Sequence, residues 1–353
     1  MSITQGLARA WGEPLGRAQV AGQPEDFFVD EQLSFSASED GPHLLIQIEK
    51  RRLSTSEAIR RLADGWDIPA QGIGYAGRKD REAVSRQWLT VPWPIQASLP
   101  QTGAIFDDPT SGKQLRVLKL ARHRRKLPVG ALTGNRFGLR LREFKADPVA
   151  VNARLQQIAI AGVPNYFGGQ RFGHDGGNAQ KVAAWFAGEY RPRHRTERSM
   201  LLSSARSICF NAVLSERVES GDWATPGVCD LVVLDGRGSL FAADTEAPAR
   251  LAARAAGLRV HATGPLPGQP RKGLSLPEQL SQREDDWLRP HAALVEGLQA
   301  ARVDAARRAL RLAVGALAWR WADRQTLELE FSLPKGCYAT AVLRELVDWE
   351  IAA

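Results

Sequence analysis

A chain of 353 residues with 47 Lys and Arg against 39 Asp and Glu carries a formal charge of +8. That balance favours a polyanionic partner, and the length suits two domains better than one small module. Three cysteines, Cys209, Cys229 and Cys337, are odd in number and far apart, which argues against a disulfide framework and a zinc ribbon. The first residues lack the apolar core of a signal peptide, and no stretch approaches the roughly 18 apolar residues of a membrane span. A reducing, cytoplasmic location without membrane attachment is therefore expected.

In chain order, the first clear element is PHLLIQIEK, where Leu44, Ile46 and Ile48 alternate with Leu45, Gln47 and Glu49. This is the period of a strand with one face better buried than the other. Ser54 and Glu57 have the spacing of a capping box, opening a helix with Ala58, Ile59, Leu62 and Ala63 that is expected to end at Gly65 and Pro69. Next comes GIGYAGRKD at 72–80, whose first six residues match G-x-G-x-x-G. The dinucleotide reading needs a strand before it, a helix after it and an acid about 20 residues on, and the surroundings supply none of these. A P-loop fails as well, because Arg78-Lys79-Asp80 replaces Gly-Lys-Ser/Thr. SRQWLTV reads as a strand ended by Pro92.

From Lys113 to Lys126 runs KQLRVLKLARHRRK, which is either a phosphate-facing surface, with Arg122, Arg124, Arg125 and Lys126 as backbone contacts, or a charged edge strand. In GNRFGLRLR, Phe137, Leu139 and Leu141 alternate with Arg136, Arg140 and Arg142, and Asn135 stands at the entrance. Beyond residue 155 the texture becomes alanine-rich and helical in NAQKVAAWFAGEY and LFAADTEAPARLAARAAG, marking a second unit. YRPRHRTER between them is expected to be an exposed loop. Strand texture returns in TLELEFSL, with Leu327, Leu329, Phe331 and Leu333 on one face, and PKGCYATAVLRELVDW follows as a turn and a helix.

Asp80 ends a stretch in which Gly72, Gly74 and Gly77 permit close backbone approach and Arg78 and Lys79 add positive charge. That suits a carboxylate beside a phosphate-bearing substrate; the competing reading is a glycine-rich turn with surface charges. Phe27, Phe137 and Tyr338 flank polar turns, which suits stacking on an extruded base as well as ordinary core packing. His123 and His174 lack a nucleophile partner and read as structural or solvent-exposed.

Taken together, PEDFFVDE (24–31), YAGRKDREAV (75–84), HRRKLPVGALTGNRF (123–137), GVPNYFGGQRFG (162–173), SARSICFN (204–211) and LPKGCYATAVLREL (333–346) resemble the TruD family of tRNA pseudouridine synthases, in the family's order. The resemblance implies isomerisation of uridine 13 of tRNA to pseudouridine. It places the catalytic aspartate at Asp80 and substrate contacts at Phe27, Asn135 and Tyr338, and it implies tRNA as partner and no nucleotide cofactor; no metal and a monomer are expected, with the oligomeric state left open by the sequence. Asp80 would act either as a nucleophile on the ribose C1′ or as the group that initiates glycosidic cleavage and sugar deprotonation.

The implied fold is α+β: a catalytic domain on a mixed, largely antiparallel sheet (1–159 and 309–353), interrupted by an inserted α/β domain (160–308). Relatives carry a lysine three positions before the proline of Pro-Glu-Asp-Phe, where this chain has Ala21. Arg17, Arg78 and Lys79 are candidates to supply that charge, Arg17 first. The competing functions are an RNA-binding or RNA-folding protein on the same scaffold and, on the glycine pattern alone, a nicotinamide-dependent oxidoreductase.

Overall fold

The computed structural model describes residues 6–20, 22–173, 176–270, 273 and 275–351; Ala21 and His174 lie outside them. The chain forms two compact units. One comprises Leu15–Pro148, Gly315–Gly336 and Val347–Ala353, the other Met1–Pro14, Val149–Val314 and Cys337–Leu346. The chain passes from one unit to the other near 148 and 314. Not foreseen were the two short segments, 1–14 and 337–346, that join the middle of the chain.

The first unit opens with β1 (Arg17–Val20), β2 (Phe27–Leu33), β3 (His43–Arg51), α1 (Thr55–Trp66), β4 (Gly74–Tyr75), β5 (Val84–Pro92), β6 (Gly103–Asp108), β7 (Lys113–His123) and β8 (Leu132–Arg142). The second unit contains α2 (Pro148–Ala161), β9 (Val163–Pro164), α3 (Gly177–Phe186), α4 (Arg195–Glu219), β10 (Leu231–Leu234), β11 (Leu240–Ala242), α5 (Pro248–Ala256), β12 (Val260–Leu266), α6 (Glu278–Leu288), α7 (Ala292–Ala300), β13 (Ala306–Ala309) and β14 (Arg311–Leu312). The chain then adds β15 (Gly315–Asp323) and β16 (Thr326–Pro334) to the first unit, α8 (Ala339–Arg344) to the second, and β17 (Asp348–Ile351) to the first.

In the first unit one mixed sheet runs β15-β16-β8-β2-β5-β3-β7-β6, with β4 on β5 and β1 joining β8 to β17. Pairings are antiparallel except β2 with β5 and β1 with β17. The alternating patterns turn directly into burial: Leu44, Ile46 and Ile48 of β3 are fully covered, as are Leu139 and Leu141 of β8 and Leu327, Leu329, Phe331 and Leu333 of β16. α1 covers part of that face with Ala58, Leu62 and Ala63.

Its capping box forms as expected, with Ser54 accepting from the Glu57 N–H and the Glu57 carboxylate accepting from the Ser54 N–H. The helix runs through Gly65, however, and stops at Asp67 in the left-handed region (φ 50°). Gly65 is there for space, since a Cβ would lie 2.8 Å from Ile105 Cγ2. The basic run also differs from one alternative: β7 is flanked by β3 and β6, so it is not an edge strand. The outward arginines of β8 are neutralised across the sheet, Arg136 by Glu330, Arg140 by Glu328 and Arg142 by Asp26.

The second unit combines helices with a four-stranded antiparallel sheet, β11-β10-β12-β13. α4 buries Phe210, Leu214 and Val218 against Tyr166, Phe167 and Phe172. Two local readings change here. The alanine-rich stretch after Leu240 begins as strand β11, and its helix starts only at Pro248, where the missing N–H costs nothing. YRPRHRTER is not all loop, because His194 caps α4 by accepting from the Glu197 N–H at 3.1 Å, so Arg195 and Arg198 are helical. All three cysteines are free, and burial pushes the Cys209 thiol up to about 12. Among the described residues no helix is long and apolar enough to cross a membrane.

Candidate active site

The glycines of the 72–80 stretch do different jobs. Gly74 pairs with Thr90 inside the sheet, and a Cβ there would lie 2.7 Å from the Leu127 carbonyl oxygen, so a side chain does not fit. Gly77 contributes its carbonyl, which accepts a 2.6 Å hydrogen bond from the Gln87 side chain on β5. The element that follows is strand β5 rather than a helix, so the loop does not itself open a helix as a pyrophosphate-binding turn would.

Beneath the loop's end lie two buried cations. Lys50 continues the covered face of Leu44, Ile46 and Ile48, and its ammonium donates to the carbonyl oxygens of Leu53 and Asp80, each at 2.6 Å. Burial pushes its pKa down to about 8, with the Asp80 and Glu57 carboxylates pulling the other way. Lys79 is fixed twice. Its N–H donates to Thr55 Oγ1 at 3.0 Å, and its ammonium lies 2.6 Å from Glu31 Oε1. That ion pair is inside the protein, with side chains 6% and 0% exposed, and the second Glu31 oxygen accepts the Trp88 N–H at 2.9 Å. By contrast the Asp80 side chain is exposed and makes no hydrogen bond among the described residues. The chain thus holds a carboxylate toward solvent on a main chain tied down from below.

Strand register brings Asn135 to this place. It stands opposite Glu31 of β2 and Leu333 of β16, and directly opposed residues share a face of the sheet. Its Oδ1 is buried without a hydrogen-bond partner. Leaving such an atom unsatisfied costs about 1–3 kcal/mol, so it marks a place for an outside donor. Phe27 lies on the same face at the start of β2. The turn before it is anchored by buried Asp26, whose oxygens each accept from Arg142 at 2.8 Å while one also accepts the Gln23 N–H. This explains Pro-Glu-Asp-Phe as a turn that delivers a ring. The Phe27 ring is half-buried, edge-on to Phe137 at 6.3 Å, and Phe137 stacks on Phe331 at 5.5 Å.

Tyr338 belongs to the second unit, at the N-cap of α8. Its half-buried ring meets Phe167 edge-on at 6.1 Å and lies 5.7 Å from the Arg171 guanidinium carbon. Three of the four residues expected around the substrate are therefore placed in one unit, and Tyr338 in the other.

Comparison with known proteins covers nearly the whole chain. A family model described as tRNA pseudouridine synthase D (TruD) covers residues 17–192 and 191–346. A tRNA pseudouridine synthase D of Pseudomonas putida is 45% identical over 345 residues, spanning 96% of this chain and 94% of that protein. One of Azotobacter vinelandii is 46% identical over 344 residues, again 96% and 94% of the two chains. The chain belongs to the TruD family. It is an enzyme of the pseudouridine synthase class, an isomerase. The fold agrees with the crystal structure of a chain from Methanosarcina mazei assigned as TruD, at a TM-score of 0.68 and 20% identity over 96% of this chain and 95% of that one.

The basic residues of this TruD chain divide into two kinds. Arg122 is a structural clamp whose guanidinium donates to the carbonyls of Trp93, Pro94, Ile95 and Ala97. Arg124 forms a two-pronged pair with Asp40 at 2.7 and 2.9 Å. Arg125 and Lys126 are exposed, with no hydrogen bond or ion pair among the described residues, and so is Arg78 beside Asp80. Arg122 pairs in register with Leu44, and Lys50 is six residues further along β3, roughly 20 Å at about 3.4 Å per residue. Arg122 therefore lies well away from Lys50, whereas Lys126 lies against Gly74 at the start of the glycine stretch, where a Cβ would come within 2.9 Å of its Cγ.

His123 stacks on Phe35 at 5.5 Å and shares a hydrogen bond with Ser38, a structural role. Arg17 makes no side-chain hydrogen bond or ion pair among the described residues. It pairs with Asp348, on the side of β1 away from Phe27, and among the described residues β1 meets β8 at Leu141 and Arg142, six or more residues past Asn135. The buried cation on the Asp80 main chain is Lys50.

Proposed function

We propose that this TruD chain converts uridine 13 of tRNA to pseudouridine, with Asp80 as nucleophile and Phe27, Asn135 and Tyr338 contacting the extruded nucleotide. The unit containing Asp80 is then the catalytic domain and the other the inserted one. What carries this reading is the exposed Asp80 carboxylate on an anchored main chain, with the unpartnered Asn135 Oδ1 on β8, opposite the Glu31 that holds Lys79.

A uridine must leave its stack before a carboxylate can reach C1′, at a cost of a few kcal/mol, and a half-buried ring such as Phe27 offsets part of that loss. Asp80 attacks C1′ as the N1–C1′ bond breaks, its electron pair remaining on the uracil. The uracil turns, C5 bonds to C1′ and displaces the carboxylate, the hydrogen on C5 leaves as a proton, and N1 takes one up. Atoms and electrons balance without an oxidant or added cofactor. Asn135 Oδ1 accepts from the uracil N3–H, holding the base while it is detached.

Tritium placed on C5 of uridine in a tRNA transcript should be released to solvent by the protein alone. Tight binding without release would favour the RNA-binding alternative. Asn135→Ala should lower kcat/KM by about 10- to 100-fold, the range for losing one hydrogen bond in a closed site. Steady-state kinetics check this, and an unchanged value would remove Asn135 from the base contact.

Binding should weaken with salt in proportion to the phosphates neutralised, with about 0.7–0.9 of log-log slope per contact. Replacing Arg125 and Lys126 together by Ala should lower the slope by between one and two. Replacing Arg124 should leave it nearly unchanged, because its charge is already spent on Asp40. Equal effects from both variants in a salt titration would contradict this division.

A further inference from the structure

We propose that Lys50 is a positioning residue for catalysis, its ammonium holding the main chain of Asp80 so that the carboxylate is aimed at the substrate. This rests on the reading of Asp80 as the nucleophile and adds a residue that touches neither substrate nor reacting atoms. The argument begins with placement. A lysine on the covered face of a central strand is out of water, and burial of an ammonium is tolerated only where it is paired or well hydrogen-bonded. Lys50 has no carboxylate within ion-pair distance among the described residues; instead it joins two main-chain carbonyls, of Leu53 and Asp80, at 2.6 Å each. These are the carbonyls just before α1 and at the end of the glycine loop. One side chain thereby ties the loop to the strand and to the start of the helix.

The surroundings make this hold sensitive to charge. The groups acting on Lys50 are the Asp80 carboxylate and Lys79 ammonium of the loop and Glu57 of α1. Lys79 is itself paired with Glu31 of β2, while β5 and β7 present Ser85 and Leu115 at the flanking register positions, neither charged. Buried as it is, Lys50 loses its proton at about 8 rather than 10.5. The neutral amine is a weaker donor and no longer offsets the Asp80 charge. Deprotonation should therefore loosen the loop without unfolding the chain. Because the folded pKa is the lower one, this titration raises stability as pH climbs from about 8 toward 10.5, so a falling rate in that window is not a failing fold.

The test is the single-turnover rate on tRNA between pH 6.5 and 9.5, with tRNA affinity measured alongside, for the native protein, Lys50→Met, Lys50→Arg and Asp80→Asn. The native rate should fall above pH about 8. Lys50→Met should be slower by about 10²-fold at neutral pH, the scale of an ångström of misplacement, with affinity nearly unchanged and no fall near pH 8. Lys50→Arg keeps its charge and should move the fall to higher pH. A native profile flat to pH 9.5, the same fall in both Lys50 variants (as ionisation of the uracil would give), or a Lys50→Met rate close to native would overturn the assignment. If Lys50→Met does not fold, the native and Lys50→Arg profiles decide, and identical profiles overturn it. Turnover by Asp80→Asn would overturn the nucleophile reading instead, whereas an inactive Asp80→Asn beside an undiminished Lys50→Met overturns only the role of Lys50.

Discussion

Asp80→Asn is expected to reduce the single-turnover rate by on the order of 10⁴-fold or more while leaving folding and tRNA affinity close to native. The carboxylate is exposed and accepts no hydrogen bond among the described residues, so the amide disturbs no internal contact. The main-chain carbonyl still meets Lys50, and the loop keeps its place. What is lost is the nucleophilic oxygen and the negative charge that favours the protonated Lys50. Rapid-quench kinetics with excess protein, beside a binding titration, separate the two effects. A rate within ten-fold of native would remove Asp80 from the covalent step.

The second large effect concerns stability. Glu31→Ala should lower the unfolding free energy of its unit by about 3–5 kcal/mol, because it strands the Lys79 ammonium in a buried site and removes the acceptor for the Trp88 N–H. A deleted partner is costlier than a deleted pair. Glu31→Gln combined with Lys79→Met should therefore recover a substantial part of the loss, since no buried charge is left over. Urea unfolding followed by tryptophan fluorescence checks both. A double variant less stable than Glu31→Ala alone would contradict a simple ion pair.

Much of the sheet was legible because alternation is a local property. Leu44, Ile46 and Ile48 announce β3, Phe137, Leu139 and Leu141 announce β8, and the Ser54–Glu57 box announces α1. Asp80 and its three companions were reached through motifs, since spacing alone left a glycine-rich turn as a full alternative. The chemistry beneath Asp80 was hidden although its signal was present. Lys50 and Glu31 fall in the buried phase of their strands, two residues beyond Ile48 and Val29, where a charged side chain requires a partner. At the end of a strand beside Arg51 and Arg52, Lys50 reads instead as one more surface cation.

The partners of the β8 arginines are not legible locally. Arg136 and Arg140 are neutralised by Glu330 and Glu328 of β16, nearly 200 residues away in sequence, with Glu328 directly opposite Arg140 in register, which no local pattern can reveal. The same limit applies to Arg122, whose acceptors are main-chain carbonyls of a distant loop.

The central claim is tested most directly by mapping pseudouridine at single-nucleotide resolution in an unmodified tRNA transcript after incubation with the purified protein and no added cofactor. Pseudouridine at position 13, absent when that position is changed to cytidine and absent with Asp80→Asn, is the expected result. An untouched position 13, or pseudouridine formed there by Asp80→Asn at the native rate, would contradict the account.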